Sequence, residues 1–221
     1  MSRREDAKQE TRRRLLTAAR EVVADQGAAA LSLRDVARRA GVVPSAIYRH
    51  VENRDALLSE LLVESYRSLA DALEAACSFG WAPTAGALRA WALERPHEFQ
   101  LLYGTPVPGY SAPERTVPEA ARIARAFLQA RSVGDRAGGA GAPESVPAGT
   151  SPPGKDQAAL LTQLLTPAAQ LDTDPVILAV VLADLAQLVG LLLLEAGGHF
   201  VGTADPADHL WDAVVARQCD R

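Results

Sequence analysis

The sequence predicts an all-α protein. Ala occurs 42 times and Leu 29 times among the 221 residues, and both residue types favour the helical backbone. Over several long segments the apolar residues recur every three or four positions, which is the spacing of one helix face. Hydrophobic residues make up 48% of the chain and charged residues 23%, which is ordinary for a globular protein and excludes wholesale disorder.

A three-helix domain is predicted at the N-terminus. The first helix should end before Gly27, a residue that readily adopts the left-handed backbone of a helix C-terminus. Ser32 and Asp35 form a capping-box pattern at the start of a second helix. Pro44 suits the first turn of a third helix, where its missing N–H has no acceptor anyway. The predicted helices of this domain are 6–26, 33–40 and 44–50.

The rest of the chain predicts a larger helical domain. Asn53 is the expected cap of a long helix, and Pro96 separates two short ones. Residues 104–113 should be a loop, and residues 132–155, with six Gly, four Pro and no apolar periodicity, a disordered insertion. The longest apolar stretch is interrupted by Asp184, which favours a buried helix over a membrane span. The predicted helices are 53–77, 84–95, 96–103, 114–131, 156–170, 175–197 and 206–218.

Charge is distributed unevenly along the chain. Residues 1–54 carry 12 basic and seven acidic side chains, although the whole chain has a net charge of −4. A basic N-terminal segment on an acidic body favours local contact with a polyanion, and we expect residues 1–53 and 54–221 to form separate domains. The acidic residues near the start and the absence of a CxxC pair predict a cytoplasmic protein without a signal peptide or disulfide framework.

The second and third predicted helices form a helix-turn-helix pattern. Ala37 and Gly41 are small where the helices must approach each other, and Val36 and Ile47 can fill the wedge between them. Such a pair presents the start of its second helix to the major groove of DNA. The same spacing also fits an αα-hairpin in a helical domain that does not bind DNA.

This region closely resembles the N-terminal domain of TetR-family transcriptional regulators. The segments that carry the resemblance lie between Arg13 and Leu62 and are Leu33–Val42, Ala46–Val51 and Asn53–Leu58. Three later segments resemble the WHG-type C-terminal domain of some of these regulators: Glu94–Phe99, Tyr103–Tyr110 and Glu195–Phe200. The resemblance implies a homodimeric repressor that binds an operator in double-stranded DNA and is released by a small-molecule effector, with no cofactor and no membrane partner.

The resemblance also implies which side chains meet DNA. They should lie at the start of the second helix, on the third helix and at the start of the fourth: Arg34, Val43, Pro44, Ser45, Ala46, Tyr48, Arg49, His50 and Arg54. At the tip formed by residues 43–46 only Ser45 offers a side-chain hydrogen bond. Direct reading of bases should therefore depend on thymine methyl contacts and on Arg49, while Arg54 matches the family's phosphate clamp.

Effector and dimer contacts are expected in the larger domain. Aromatic residues cluster around the predicted loop, and ligand pockets are typically apolar with a few polar groups, although the same rings also fit an ordinary core. The candidate effector residues are Tyr66, Trp91, His97, Phe99, Tyr103, Tyr110 and Phe127. The helix at 175–197 is apolar on nearly every face, which favours pairing with a second subunit. The candidate dimer residues are Leu185, Leu188, Leu192 and Trp211.

Motifs that suggest an enzyme are incomplete. His97-Glu98 begins like a zinc-protease motif, but Leu101 occupies the position of the second histidine. The sequence therefore predicts no metal site and no catalytic residue. Two alternatives remain open, namely a small hydrolase using His97, His199 and Ser111, and a helical interaction module without DNA binding.

Overall fold

A computed structural model describes residues 3–137 and 155–220, and within these ranges the chain is helical and contains no strand. Three single 3₁₀ turns, at Ala28–Ala30, Ile47–Arg49 and Glu114–Thr116, accompany the helices. The α-helices of the described ranges are α1 (Arg3–Gln26), α2 (Leu33–Arg39), α3 (Arg54–Cys77), α4 (Trp81–Glu94), α5 (Pro96–Tyr103), α6 (Val117–Ala137), α7 (Lys155–Gln170), α8 (Pro175–Ala196) and α9 (Asp208–Cys219). The prediction of an all-α protein is confirmed.

The predicted helix caps are present. Gly27 follows α1 with a φ of 80°, a conformation that costs glycine little because it has no Cβ. The Ser32 hydroxyl accepts a hydrogen bond from the Asp35 amide at 3.2 Å, and the Asn53 side chain accepts one from the Ala56 amide at 2.8 Å. These contacts satisfy amide groups that have no acceptor within their own helix.

The prediction of a third α-helix at residues 44–50 was wrong. Residues 44–46 form a turn, and only Ile47–Arg49 are helical, as a single 3₁₀ turn. The Ala46 amide donates to the Val43 carbonyl and the His50 amide to the Ile47 carbonyl, both at 2.8 Å. Because so short an element can form few i→i−4 bonds, its ends tighten into the three-residue pattern. We call residues 43–50 the reading turn.

The sixth helix extends further than predicted. It continues through residues 132–137, which had been assigned to the disordered insertion. Apart from Gly134, the glycines and prolines that suggested disorder begin only after Ala137. The composition of residues 132–155 as a whole therefore hid the fact that residues 132–137 can continue the helix. Residues 138–154, the rest of the predicted insertion, lie outside the described residues.

Two compact units divide the chain, at positions that differ from the predicted boundary after residue 53. The first unit comprises residues 3–68 and 95–119, and the second comprises residues 69–94, 120–137 and 155–220. Leu57, Leu58 and Leu61 of α3 belong to the same buried cluster as Leu15 and Val36. The N-terminal helices therefore complete their core with the start of α3, which a boundary at residue 53 would remove.

Polar contacts fix the helices of the first unit around this core. The Arg14 guanidinium on α1 donates to the Ala40 carbonyl at the end of α2, where Gly41 then reverses the chain with a φ of 65°. On the other side, the Ser65 hydroxyl of α3 donates to the Glu98 carboxylate of α5 at 2.8 Å. The contact from Arg14 thus holds the turn between α2 and the reading turn to α1.

The second unit contains an ion pair between a half-buried arginine and a buried aspartate. Arg131 of α6 contacts the Asp184 carboxylate of α8 at 2.6 Å and also lies over the Trp81 ring, 3.9 Å from its centroid. The Trp81 indole N–H donates to the Gln218 side chain of α9 at 3.0 Å. These contacts connect α6, α8 and α9 through the side chains of Arg131, Asp184 and Gln218.

One helix of the described residues, α8, is long and apolar enough to cross a membrane by length and composition alone. Its inner face packs within the second unit through Leu178, Val181, Leu188 and Leu192, and Asp184 forms the ion pair just described. This pattern is typical of a packed helix in a globular domain.

Candidate nucleic-acid interface and adjoining cavity

The tip of the reading turn is exposed. Val43 and Tyr48 retain 66% and 62% of their accessible surface, and Pro44, Ser45 and Arg49 are also exposed. Because these side chains have so few protein neighbours, the turn presents them to whatever approaches this face.

The opposite face of the turn explains this exposure. Ile47 and Val51 point into the core of the first unit and are buried. They anchor the turn, so that the intervening side chains must face outward.

Four of the nine predicted DNA-contacting residues are brought together at this tip. Arg34, Pro44, Ser45 and Tyr48 line one shallow hollow of about 290 Å³. Arg34 is exposed on the first residues of α2, where the unpaired amides of a helix start also favour an anion. The arrangement offers a guanidinium and two hydroxyl groups beside the apolar side chains of Leu33, Pro44 and Ile47.

Arg54 is engaged inside the protein. Its Nε donates to the Leu31 carbonyl at 3.0 Å, and its Nη2 donates to the carbonyls of Ala28 and Ala29 at 3.2 and 3.1 Å. Its Nη1 contacts the Asp55 carboxylate at 3.3 Å. Four of the five N–H groups of a guanidinium are thus occupied, so Arg54 serves first to hold the 3₁₀ turn at residues 28–30 and has one N–H left for a phosphate.

Two other predicted contacts are less accessible. Ala46 and His50 are half-buried, and the buried His50 Nδ1 has no hydrogen-bond partner among the described residues. Their part in DNA contact stays a prediction.

The start of α2 carries a stabilised carboxylate. The hydrogen bond that the Ser32 hydroxyl donates to the Asp35 carboxylate, at 2.7 Å, lowers the pKa of Asp35, with a further contribution from Arg38 and Arg34. Asp35 therefore stays ionised at the first turn of α2, where a negative charge interacts favourably with the helix dipole.

A cavity of about 750 Å³ lies in the first unit, on the side of the 3₁₀ turn at residues 28–30. One wall consists of the end of α1 and the start of this turn, a second of one face of α3, and a third of α5 with the loop that follows it. None of the residues lining this cavity is Asp, Glu, Lys or Arg. The sequence did not identify the first wall, since Val23, Ala24 and Gly27–Ala29 look like ordinary helix and turn residues.

Phenol groups supply polar atoms of the cavity. The Tyr110 hydroxyl lies 2.9 Å from the Ser59 hydroxyl, and Ser59 donates its only proton to the Asp55 carbonyl at 2.7 Å. Tyr110 must therefore be the donor to Ser59, which leaves the lone pairs of its own oxygen available. Burial raises the pKa of Tyr110 and that of Tyr66, so both phenols stay neutral at physiological pH.

The structure assigns different surroundings to the seven candidate effector residues. Tyr66, His97 and Tyr110 line the cavity. Phe99 is buried beside it in the first unit and packs against Tyr103, with ring centroids 5.3 Å apart; burial raises the pKa of Tyr103 strongly.

The remaining two belong elsewhere. Trp91 and Phe127 are buried in the second unit, where Phe127 packs against Trp81 with ring centroids 5.1 Å apart. Both side chains therefore have the surroundings of ordinary core aromatic residues, whose large apolar surface a helical domain buries in its core.

The candidate dimer residues need correction. Leu188, Leu192 and Trp211 have 0%, 2% and 5% of their surface exposed, so they fill the core of the second unit, and Leu185 is half-buried. The sequence showed that α8 is apolar on nearly every face, but a uniformly apolar helix gives no periodic signal for which face points inward.

The alternative of a hydrolase gains no support from the geometry. His97 and Ser111 belong to the first unit and His199 to the second, and no hydrogen bond among the described residues joins Ser111 to a histidine. The same residues contain no group of three side chains placed to hold a metal ion.

An exposed reading turn held on a core of α1, α2 and the start of α3 is the arrangement of a helix-turn-helix domain. The chain belongs to the TetR family, since residues 15–61 match the family described as bacterial regulatory proteins, tetR family, and residues 81–218 match the tetracyclin repressor-like C-terminal domain. It is therefore a TetR-family transcriptional regulator, and regulators of this family bind DNA.

Relatives agree with this assignment. The HTH-type transcriptional regulators Rv1816 of Mycobacterium tuberculosis and Mb1846 of Mycobacterium bovis are each 41% identical over 143 residues, which is 61% of this chain and 61% of theirs. The crystal structure of SCO4313 is 32% identical and covers 100% of both chains with a TM-score of 0.79. A TetR-family regulator from Marinobacter aquaeolei VT8, 21% identical over 99% of this chain and 97% of its own, has a TM-score of 0.58 and shares the fold.

Proposed function

We propose that this TetR-family regulator is a homodimeric repressor of the cytoplasm, which binds a pseudo-palindromic operator and is released by a small apolar effector. The observation that carries the proposal is the exposed tip of the reading turn, where five side chains are presented outward on a fixed core. The alternative of an interaction module without DNA binding offers no reason for this arrangement.

The chemistry of the tip suggests how bases would be read. Val43 and Pro44 suit the methyl group of thymine, whereas the Arg49 guanidinium suits the O6 and N7 atoms of guanine. Arg34 and the Tyr48 hydroxyl, on the rim of the hollow, suit phosphate oxygens, which position a protein on the duplex without reading its sequence. Specificity should therefore depend on residues 43–49.

The outward face of α8 supports a dimer. Val176, Ala183 and Gly190 recur every seven residues, the length of a heptad, and Leu194 lies one helical turn after Gly190. Only 28% of the most apolar window of α8 is buried within one chain. A Cβ added at Gly190 would meet no atom within 4 Å, so this side of the helix is open. Small residues at such positions let two helices approach closely, and a second copy of α8 would cover the face with matching apolar surface.

Release by an effector follows from the geometry that a dimer imposes. Its two reading turns must enter successive major grooves, about 34 Å apart along the duplex. A ligand that prefers a conformation with another spacing weakens operator binding by its difference in affinity for the two states. No catalytic step is needed for this function, and we infer that the protein is a binder rather than an enzyme.

The proposal is tested by selecting DNA from a random pool with the purified protein. The expected result is an enriched sequence with two-fold symmetry, bound more weakly as salt rises. Arg49→Ala should relax the preference at one base position in each half-site, whereas Arg217→Ala, a matched change of an exposed arginine on α9, should leave it unaltered. A pool without any enriched symmetric sequence contradicts the proposal.

A further inference from the structure

We propose that the cavity of the first unit is the effector site, and that an uncharged, mainly apolar molecule bearing a hydroxyl or N–H group acts on the DNA-binding helices by direct contact. This inference rests on the proposed function and adds the location of the site, the class of ligand and the route of its action. Its starting point is the wall of the cavity that α1 and the 3₁₀ turn at residues 28–30 supply.

The lining defines the class of ligand. A volume of about 750 Å³ is in the range of sites for drug-sized molecules. Because the lining residues include no Asp, Glu, Lys or Arg, a cationic ligand would lose its hydration without gaining an opposite charge. An anion would find only the exposed His97 imidazole beside it. Apolar side chains such as Leu58, Leu62 and Val107 provide most of the contact surface, which favours a ring system or a branched hydrocarbon.

The hydrogen-bonding groups define the polar end of the ligand. Tyr110 donates its proton to Ser59, which in turn donates to the Asp55 carbonyl, so the Tyr110 oxygen faces a ligand as an acceptor. The Tyr66 hydroxyl, which also lines the cavity, has no hydrogen bond to another described residue. A ligand hydroxyl or N–H can thus donate to Tyr110, and a buried donor gains most where such a partner is already oriented.

The cavity wall is linked to the DNA-binding helices within a few residues. Ala28 and Ala29 line the cavity, Leu31 is buried in the core, and Ser32 caps α2. The Arg54 guanidinium holds this backbone in place, because it donates hydrogen bonds to the carbonyls of Ala28, Ala29 and Leu31. A molecule that displaces this turn must therefore shift the cap of α2, from which the position of the reading turn follows.

The first experiment locates the site with 1-naphthol, an uncharged aromatic probe with one hydroxyl group, and with naphthalene, which lacks it. We expect 1-naphthol to bind with a Kd below about 1 mM. Ala24→Leu, which fills the cavity from α1, should weaken binding at least about tenfold, since the added side chain occupies the space of the probe. Ala7→Leu, on an exposed part of the same helix, should not weaken it.

Two further variants keep the test decisive. Ala112→Leu fills the cavity from the loop after α5 and replaces Ala24→Leu if that variant does not fold. Tyr110→Phe should weaken binding of 1-naphthol about three- to tenfold, as expected for one hydrogen bond, and leave binding of naphthalene unchanged. Absence of binding, or full binding by a folded cavity-filling variant, overturns the assignment of the site.

The second experiment tests the route of action. Saturation with 1-naphthol should speed amide hydrogen exchange in residues 27–36 of the wild type but not of Ala24→Leu, because a displaced turn loosens the start of α2. Unchanged exchange overturns the route, and it does so without any DNA.

A third measurement separates this inference from the proposed function. Saturating 1-naphthol should weaken the selected operator complex at least about fivefold, and unchanged or tighter binding overturns release through this cavity. If DNA selection yields no operator while 1-naphthol binds the cavity and loosens residues 27–36, the proposed function fails and the ligand site stands.

Discussion

At the scale of single residues, Arg54 shows how one position can combine two roles. The family resemblance implies a phosphate clamp, whereas four of its N–H groups bind carbonyl and carboxylate oxygens of the protein. Hydrogen bonds from a charged group contribute more than neutral ones because the charge strengthens each of them. Its contribution to DNA binding must therefore be separated from its contribution to the fold.

We expect Arg54→Ala to lower the free energy of unfolding by about 2–3 kcal/mol, because several carbonyls lose their charged donor. Urea denaturation of the protein without DNA measures this effect. Arg49→Ala is the matched control, since Arg49 is exposed and should lose DNA affinity with a stability change within about 0.5 kcal/mol. Equal stability of the two variants contradicts the structural role of Arg54.

The ion pair between Arg131 and Asp184 gives a second prediction at this scale. Asp184→Ala leaves a half-buried guanidinium without its carboxylate and should lower the free energy of unfolding by about 3 kcal/mol or more. The double variant with Arg131→Met should lose much less than the two single variants together, because it removes both charges. Additive losses in chemical denaturation contradict a coupled pair.

At the scale of elements, most helix ends could be predicted, because caps depend on a few adjacent residues. Ser32, Asn53 and Pro96 each satisfy or remove amides that the helix leaves unpaired, whatever the rest of the fold does. The reading turn could not be predicted in kind, since the choice between α and 3₁₀ geometry in so short an element depends on how Ile47 and Val51 seat in the core.

The cap of α2 provides the prediction for this scale. Ser32→Ala should lower the free energy of unfolding by about 1 kcal/mol near neutral pH. The pKa of Asp35 is lowered in the folded protein by its bond to Ser32, so the stabilisation from that bond is present above the unfolded pKa and is lost as the pH falls through the folded one.

The difference between wild type and Ser32→Ala should therefore shrink as the solution is acidified below roughly pH 4. Thermal unfolding of both proteins over a series of pH values measures it. Glu21→Ala, which removes an exposed carboxylate of α1 outside this cap, serves as the control. A difference that grows in acid contradicts the assigned bond.

At the scale of the whole molecule, the sequence sufficed for the fold class and the family but not for the faces that a folded chain leaves open. Local patterns identify a helix, whereas the inner face of α8 depends on where Arg131 and Gln218 arrive from distant parts of the chain. The effector cavity could be predicted only in part, since the clustered aromatic residues indicated Tyr66, His97 and Tyr110. The wall formed by the end of α1 and the 3₁₀ turn after it carries no comparable sequence signal.

The dimer proposed above can be tested on the outward face of α8. Ala186 is exposed and lies on this face, about one helical turn after Ala183. Ala186→Arg introduces a charge there and should yield a folded monomer, because a second copy could no longer cover that face. Ala90→Arg, a matched change of an exposed residue on α4, should leave the assembly intact. Leu188→Ala should instead destabilise each subunit by about 2–5 kcal/mol, as for a cavity in a core.

Sedimentation equilibrium distinguishes these outcomes. A wild type that is monomeric at micromolar concentration, or a dimeric Ala186→Arg, contradicts a dimer formed through this face. Loss of operator affinity that accompanies the monomer would connect the assembly to the DNA-binding function.

The exposed tip of the reading turn has an evolutionary consequence. Val43, Pro44 and Ser45 add almost nothing to the core, whereas Ile47 and Val51 hold the turn in place. A lineage can therefore exchange the tip residues, one at a time, without passing through unfolded intermediates. Duplicated copies of such a protein are free to drift towards new target genes, and an engineer who retargets it can randomise the tip while keeping the anchors fixed.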